Sequence, residues 1–420
     1  MYSHGRETVI SIYAFTVSKI VFINRYFYPD ISATSQMLTD LSVSLAREGR
    51  RVVVVSSRQS YQNPAEGLPA NEMHKNVEIR RVWSSGFGRM NLAGRAIDYI
   101  SFYVTSLWML FRLVQPGDIV VAKTDPPLIS IVACLVTRVR KAVLVNWIQD
   151  LFPEVASALG VVKRPLVLSP LMWLRDLSLH AATENVVIGE RMRDRLLEHS
   201  VNPGAITVIP NWADGRVVRP VASSTNTLRT EWGLQDKFVV GYSGNMGRAH
   251  DYKTIIDAMR LLQGNDSVVF LFIGGGKARD GIEIELKKQG LRNYLFKSYQ
   301  PRDVLSESLS VPDLHLVSLL PVLEGLIVPS KFYGICAAGR AVAFIGDTKG
   351  EIAGLIQRCE CGFSSPPGAG GELAERITEL QRNPGSAEAI GRNARHCFEQ
   401  SYDLPIAVES WKDLLSRVAV

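Results

Sequence analysis

The feature that most constrains the fold is a repeated grammar: a short, nearly all-apolar run, a loop, then a segment with helical spacing. In the first half the runs are "KIVFIN" (19–24), "RVVVVSS" (51–57), "NVEIRRVW" (76–83), "DIVVAKT" (118–124), "AVLVNWI" (142–148), "NVVIGE" (185–190) and "AITVIPNW" (205–212). Runs without polar alternation are buried on both faces, as strands of a helix-covered parallel sheet are. Helical segments lie between them, notably after "RYFYPDISAT", at 92–114 and at 167–182. The second half restarts with "KFVVGYSG" (237–244) and continues through "SVVFLFIGGG" (267–276), "NYLFKSY" (293–299), "DLHLVSLL" (313–320) and "AVAFIGD" (341–347). This alternation predicts an α/β chain of two doubly wound parallel-sheet (Rossmann-like) domains, facing across a cleft at the carboxyl ends of both sheets.

A chain of 420 residues is too long for one core. The polar, irregular "ADGRVVRPVASSTN" marks a linker at 213–226. The expected division is an extension of unassigned role (1–18), a first domain (19–212), the linker, a second, ligand-binding domain (227–403) and a closing helix (404–420) able to pack back on the first domain. No segment approaches the roughly 18–20 apolar residues that span a bilayer. The first 17 residues lack the basic start and cleavage site of a secretory signal. The five cysteines are odd in number and read as unpaired in a reducing cytoplasm, "RCEC" (358–361) included. Net charge is +6, and residues 1–210 hold all of it, with 23 Lys and Arg against 17 Asp and Glu. That half is either a slightly basic solvated surface or a peripheral contact for an anionic partner such as the inner face of a membrane. Nothing points to nucleic acid.

The chemistry is sought in the loops that follow strands. In "GYSGNMGRAHDYKTI" (241–255), Gly244 and Gly247 allow the backbone to approach a ligand, with Asn245 between them. Arg248 and His250 add cationic or hydrogen-bonding groups. The spacing is not the dinucleotide fingerprint. "FIGGG", with Gly275 at its centre, is a second glycine turn. In "EGLIVPSKFYGICAAGRAV" (324–342), Pro329 suits a first helical turn, Ser330 and Lys331 stand on it, and Gly339 ends it. Any one of these loops is a tight strand–helix turn; three converging on one cleft suit a phosphorylated ligand. In "NWIQDLFPEVASALG" (146–160), Asp150 and Glu154 follow a strand and either face the cleft or, for Asp150, cap the next helix. In the loop 25–36, Tyr28, Thr34 and Ser35 suit sugar contact, and Thr34 or Ser35 equally suits an N-cap.

The segments "YPDISATSQMLTDLSVSLAREGRRVVVVSS", "WIQDLFPEVASALG", "VIPNWAD", "VVGYSGNMGRAHDYKTIIDAM", "FLFIGGG" and "VPSKFYGICAAGRAV", in this order, make the chain resemble the GT-B glycosyltransferases. The resemblance is to the retaining family four of bacterial exopolysaccharide and O-antigen enzymes, nearest to members that transfer fucose-type or acetamido sugars. It implies a nucleotide-sugar donor, UDP- or GDP-linked, in the second domain and a glycan or lipid-linked saccharide acceptor on the first. No cofactor beyond the donor and no metal are implied. By resemblance, Gly244, Asn245, Arg248, Ser330 and Lys331 hold the diphosphate; Gly275, Tyr299 and Arg302 lie at the nucleoside. Glu324 stands at the donor sugar, Asp150 is catalytic, and Tyr28, Thr34, Ser35 and Glu154 lie on the acceptor side. The chain departs from the family where Phe332 and Gly334 replace carboxylates. A sugar-nucleotide epimerase and a non-catalytic subunit of the same fold are the alternative readings.

Overall fold

The computed structural model describes residues 18–60, 67–88, 92–162 and 164–419. The extension expected over 1–18 lies outside the described residues except for Ser18. The apolar runs become strands of two sheets. The first holds β1 (Ile20–Ile23), β2 (Val52–Ser57), β3 (Asn71–His74), β4 (Val77–Val82), β5 (Ile119–Lys123), β6 (Val143–Ile148), β7 (Glu184–Val187) and β8 (Ile206–Val208). The second holds β9 (Phe238–Ser243), β10 (Val268–Ile273), β11 (Tyr294–Lys297), β12 (Leu314–Ser318), β13 (Ala341–Ile345) and β14 (Gly362–Ser365). Their orders are β3-β4-β2-β1-β5-β6-β7-β8 and β11-β10-β9-β12-β13-β14. Every pairing is parallel except the hairpin β3–β4. The two strands not expected from sequence carry no apolar signal: β3 is "NEMH", half-exposed, and β14 is "GFSS".

One face of the first sheet is covered by the helices Leu92–Leu113 and Ile129–Arg140, with Pro165–Ala181 packed beside the latter. The other face is covered by Ala33–Arg47 and by Leu404–Val418, the last helix of the chain. Trp411 is fully buried there, its ring 4.8 Å from that of Trp147, which in turn stacks on Trp212 at 5.7 Å. The chain reaches this helix beside the linker. Asp403 bridges to Ala213, and its Oδ1 accepts the N–H groups of Gly215 (2.9 Å) and Leu404 (2.8 Å).

A single apolar cluster joins the two sheets. Ile148, Leu151, Val187 and Met192 of the first half pack with Leu319, Leu326, Phe332 and Phe344 of the second. Within it the Leu151 N–H donates to the Leu326 carbonyl at 2.9 Å. The carboxyl ends of both sheets are thereby held facing one another.

Two expectations are corrected. Ser32, not Thr34 or Ser35, caps Ala33–Arg47, its Oγ accepting from the Ser35 N–H at 3.4 Å. The cysteines are not all unpaired: Cys359 and Cys397, 38 positions apart, are joined by a disulfide, while Cys336 and Cys361 are free and buried. Spacing of 38 residues gave no local sign of the pairing. Among the described residues no helix is long and apolar enough to cross a membrane.

Because Trp411 completes the core of a domain otherwise built from the first half, Trp411→Ala should lower stability by roughly 3–5 kcal/mol. Urea denaturation should show this as a reduced midpoint, with the loss extending to Trp147 and Trp212 fluorescence.

Candidate functional site

The two glycine loops of the second domain are built into each other. Gly244 N–H donates to the Ile273 carbonyl (2.9 Å), Met246 N–H to Gly275 (2.6 Å) and Ala278 N–H to Met246 (3.0 Å). Gly274 has φ +125°, and a Cβ there would come within 2.3 Å of the Gly244 carbonyl oxygen. Only glycine tolerates both that backbone and that approach. At Gly244, with φ +116°, an added Cβ would instead grow into the gap between the loop and Lys331, 3.9 Å from Nζ.

Lys331 opens the helix Lys331–Ala337, whose N-cap is Ser330. Its Nζ is enclosed by protein, has no hydrogen-bond acceptor, and lies over the Tyr242 ring, 3.6 Å from the centroid. A cation on an aromatic face recovers part of its lost hydration, not all of it. Burial accordingly pushes the Lys331 amine down to about 7. His250 sits beside this group, its Nδ1 on the Ser318 carbonyl at 2.5 Å and its ring edge-on to Tyr242. Burial first, and the neighbouring Lys331 charge second, push its imidazole down to about 4. His250 is therefore neutral at pH 7, with Nδ1 as donor and Nε2 left as acceptor.

Across the cleft, the ends of β1, β5 and β6 assemble a second cluster. Lys123, the last residue of β5, is wholly buried over the Trp147 ring, Nζ 3.5 Å from the centroid and without a hydrogen bond. Burial pushes its amine well below the usual lysine range, against the attraction of Asp125, Asp150 and Asp40. Asp150 is exposed at the end of β6, where its backbone pairs with Ile327 of the second half, and the protein atoms gathered around its carboxyl take away part of its hydration. This desolvation pushes the Asp150 carboxyl up to about 6 despite Lys123, and does the same for Asp125 despite Arg25. The Asp150 loop is anchored by Gln149, whose N–H donates to Thr124 Oγ1 (3.0 Å) and whose Nε2 donates to Asn211 Oδ1 (3.0 Å). Asp150 does not cap the following helix, Glu154–Ala158, whose N-cap is Pro153.

The other residues singled out from sequence divide. Asn245 and Arg248 are exposed on the first glycine loop, and Gly275 lies under the ring of Tyr299, which a Cβ would meet at 3.3 Å. Glu324 is half-buried and caps a helix: one carboxylate oxygen accepts the N–H of Glu351 at 2.7 Å. Arg302 reaches across to Asp40 of the first domain, 3.5 Å away. Glu154 pairs with the buried Arg175 at 2.7 Å, beside His199 at 3.4 Å. Tyr28 stacks on His74, centroids 3.7 Å apart. Thr34 is half-buried next to Ser32, and Ser35 turns inward to the Asp30 carbonyl at 3.1 Å. Lys123 and Asp125 were not singled out from sequence. The signal for them was a lysine ending an otherwise apolar strand, "VVAK", followed by an aspartate and two prolines.

The arrangement offers an anion one enclosed ammonium and a glycine-lined backbone on one wall, and an unpaired carboxylate to a hydroxyl on the other. Residues 33–212 match the glycosyl transferase 4-like domain, and residues 224–397 match the glycosyl transferases group 1 family. The probable glycosyltransferase WbjE of Pseudomonas aeruginosa is 28% identical over 305 residues, 70% of this chain and 73% of that protein. The putative colanic acid biosynthesis glycosyl transferase WcaI of Escherichia coli is 25% identical over 354 residues, 81% of this chain and 86% of its own. The solved structure of HepE from Anabaena in complex with UDP superposes with a TM-score of 0.71 at 16% identity, covering 95% of this chain and all of that one.

An unliganded site that encloses an amine is destabilised by it. The folded-state Lys331 value lies below its unfolded one, so the penalty is full below pH 7 and is relieved as pH rises toward the ordinary lysine range. Lys331→Met should therefore raise the melting temperature of the free protein at pH 6. That gain should shrink by pH 10, measured by differential scanning fluorimetry.

Proposed function

The chain belongs to the GT-B glycosyltransferases of the family 4-like kind, with relatives in polysaccharide biosynthesis, and we propose that it is a retaining transferase that moves a sugar from a nucleotide-sugar donor to a saccharide acceptor of surface polysaccharide assembly. The observation that carries the donor site is the Lys331 ammonium, enclosed, without an acceptor, and aimed at the Gly244 loop. A diphosphate between them supplies the missing acceptor and restores the full charge. The UDP held by the structural relative HepE supports a uridine diphosphate donor.

In this reading Lys331 and the amides of the Gly244 and Gly275 loops stabilise charge that grows on the departing diphosphate. Tyr299 and Arg302 lie toward the nucleoside. Glu324, held by the helix at Glu351, offers its second oxygen to a donor-sugar hydroxyl. Asp150 accepts a hydrogen bond from the acceptor hydroxyl and orients it. The bond between the anomeric carbon and the phosphate oxygen breaks as the acceptor oxygen attacks from the same face. The hydroxyl proton passes to the leaving phosphate oxygen. No covalent glycosyl intermediate enters this reading, because same-face attack retains the anomeric configuration in one displacement. A closing movement of the domains brings the two walls together.

The test is incubation with a panel of UDP- and GDP-sugars, deoxy- and acetamido-sugars included, with and without a lipid-linked saccharide. Glycolipid product supports transfer; donor conversion without acceptor would instead establish an epimerase, and binding without turnover a non-catalytic role. Lys331→Ala should weaken UDP affinity roughly 10- to 100-fold, the loss of a charge-assisted contact; unchanged affinity by calorimetry would remove the phosphate assignment. Asp150→Asn should lower kcat roughly 100-fold. The wild-type rate should fall as pH drops through about 6, where Asp150 takes up a proton, and the variant should lack that limb.

A further inference from the structure

We propose that the second domain carries a separate binding site for a small hydroxylated anion, a hexose phosphate or a hexuronate, at the edge of its sheet away from the cleft. Four strands begin around one polar cavity of about 360 Å³. Lys237 and Phe238 stand at the start of β9, Ser267 just before β10, Asp313 just before β12 and Arg340 just before β13. The helices Gly370–Arg382 and Pro384–Ser401 contribute Gln381 and Glu388. The glycine loops of the cleft lie at the opposite, carboxyl ends of β9 and β10. The length of β13, five residues and roughly 16 Å, measures the separation. A cavity of this volume falls in the range of small-molecule sites.

Two arginines line the cavity, and only one of them has a carboxylate. Arg229 is buried and spans Asp313, Nη1 to Oδ1 at 2.9 Å and Nη2 to Oδ2 at 3.1 Å. Asp313 Oδ2 also accepts the Val239 N–H at 2.8 Å, so both its oxygens are taken. Arg340 makes no ion pair among the described residues. Its Nε and Nη2 donate to the Ser310 carbonyl at 3.2 and 2.7 Å, and Nη2 donates to Val221 at 2.6 Å. Its Nη1 donates to nothing. Burial pushes this guanidinium below its ordinary range, Arg229 adding to the effect and Asp313 and Glu388 opposing it. Arginine nevertheless stays charged. What the Nη1 edge lacks is an acceptor, and an anionic oxygen is the strongest one available to it. Lys237, its Nζ on the Asp266 carbonyl at 2.7 Å, adds a second positive charge. The rest of the lining suits hydroxyls. The side chains of Gln235, Ser267 and Gln381 make no hydrogen bond with the described residues, and the exposed carboxylates of Asp236 and Glu388 are unpaired. Inorganic phosphate would leave these amides and carboxylates unused, and a neutral sugar would leave Arg340 unused. A hydroxylated frame with one anionic group engages both. None of these residues takes part in the proposed transfer reaction, so the inference stands apart from it.

The full chain is titrated by calorimetry with glucose 6-phosphate, glucuronate, glucose and inorganic phosphate. The expected result is one site for glucose 6-phosphate or glucuronate, whichever binds more tightly naming the anion, with glucose and inorganic phosphate each about tenfold weaker or more. Arg340→Gln should lose that binding. Because Arg340 also holds two carbonyls, a second variant guards against misfolding. Ser267→Asp breaks no side-chain hydrogen bond, places a like charge in the cavity, and should weaken the anion about tenfold or more at an unchanged melting temperature. Lys331→Ala, in the cleft, should leave it unaltered, whether or not the cleft takes UDP. Failure of the folded wild type to bind either hydroxylated anion overturns the proposal. So does binding that survives Ser267→Asp and is lost in Lys331→Ala, which would place the ligand in the cleft. Glucose binding as tightly as both anions would overturn the role given to Arg340.

Discussion

The cleft exists because two parallel sheets share one apolar cluster. Leu151, Val187 and Met192 from one half close on Leu326, Phe332 and Phe344 from the other, and the Leu151–Leu326 hydrogen bond sets their register. Each sheet alone would present its strand ends to water. Joined in this way, the ends confront each other, so that loops far apart in sequence become opposite walls of one site. The positions of Asp150 and Lys331 both follow, since each lies a few residues from a member of this cluster.

The two walls use the same electrostatic device for different ends. Lys331 and Lys123 each rest an amine on an aromatic ring, Tyr242 and Trp147, with no oxygen to receive their protons. A buried amine without a counter-ion is unfavourable in the free protein, and that strain is relieved when a negative group arrives. Lys331 faces the open loop of Gly244, where such a group can enter. Lys123 is sealed in, so its influence reaches the cleft only through Asp150 and Asp125. One lysine faces the gap beside a glycine loop; the other acts on the carboxylates around it.

Strands were legible in the sequence wherever burial on both faces removed polar alternation, which is why β3 and β14 were missed and the rest were not. Lys331 was legible because a proline and a glycine-rich neighbour mark its setting locally. The contacts of Glu154, Ser35 and Arg302 were not legible, for the opposite reason. Their partners, Arg175, Asp30 and Asp40, are chosen by the fold, and nothing near these residues in sequence announces them. The Leu92–Leu113 helix shows the same limit. Its composition said apolar, but only packing decides that Phe102 faces inward and Trp108 outward.

The place of Trp411 bears on how the chain is made. The first domain leaves the ribosome early, with its sheet encoded by residue 208, yet Trp147 and the inner face of that sheet wait for a helix that begins at Leu404. Until nearly the last residues are synthesised, a large aromatic surface has no cover. The second domain can close on its own strands meanwhile. The N-terminal half is thus begun first and finished last, and a chain interrupted shortly before its end would carry a complete second domain beside an unsealed first one.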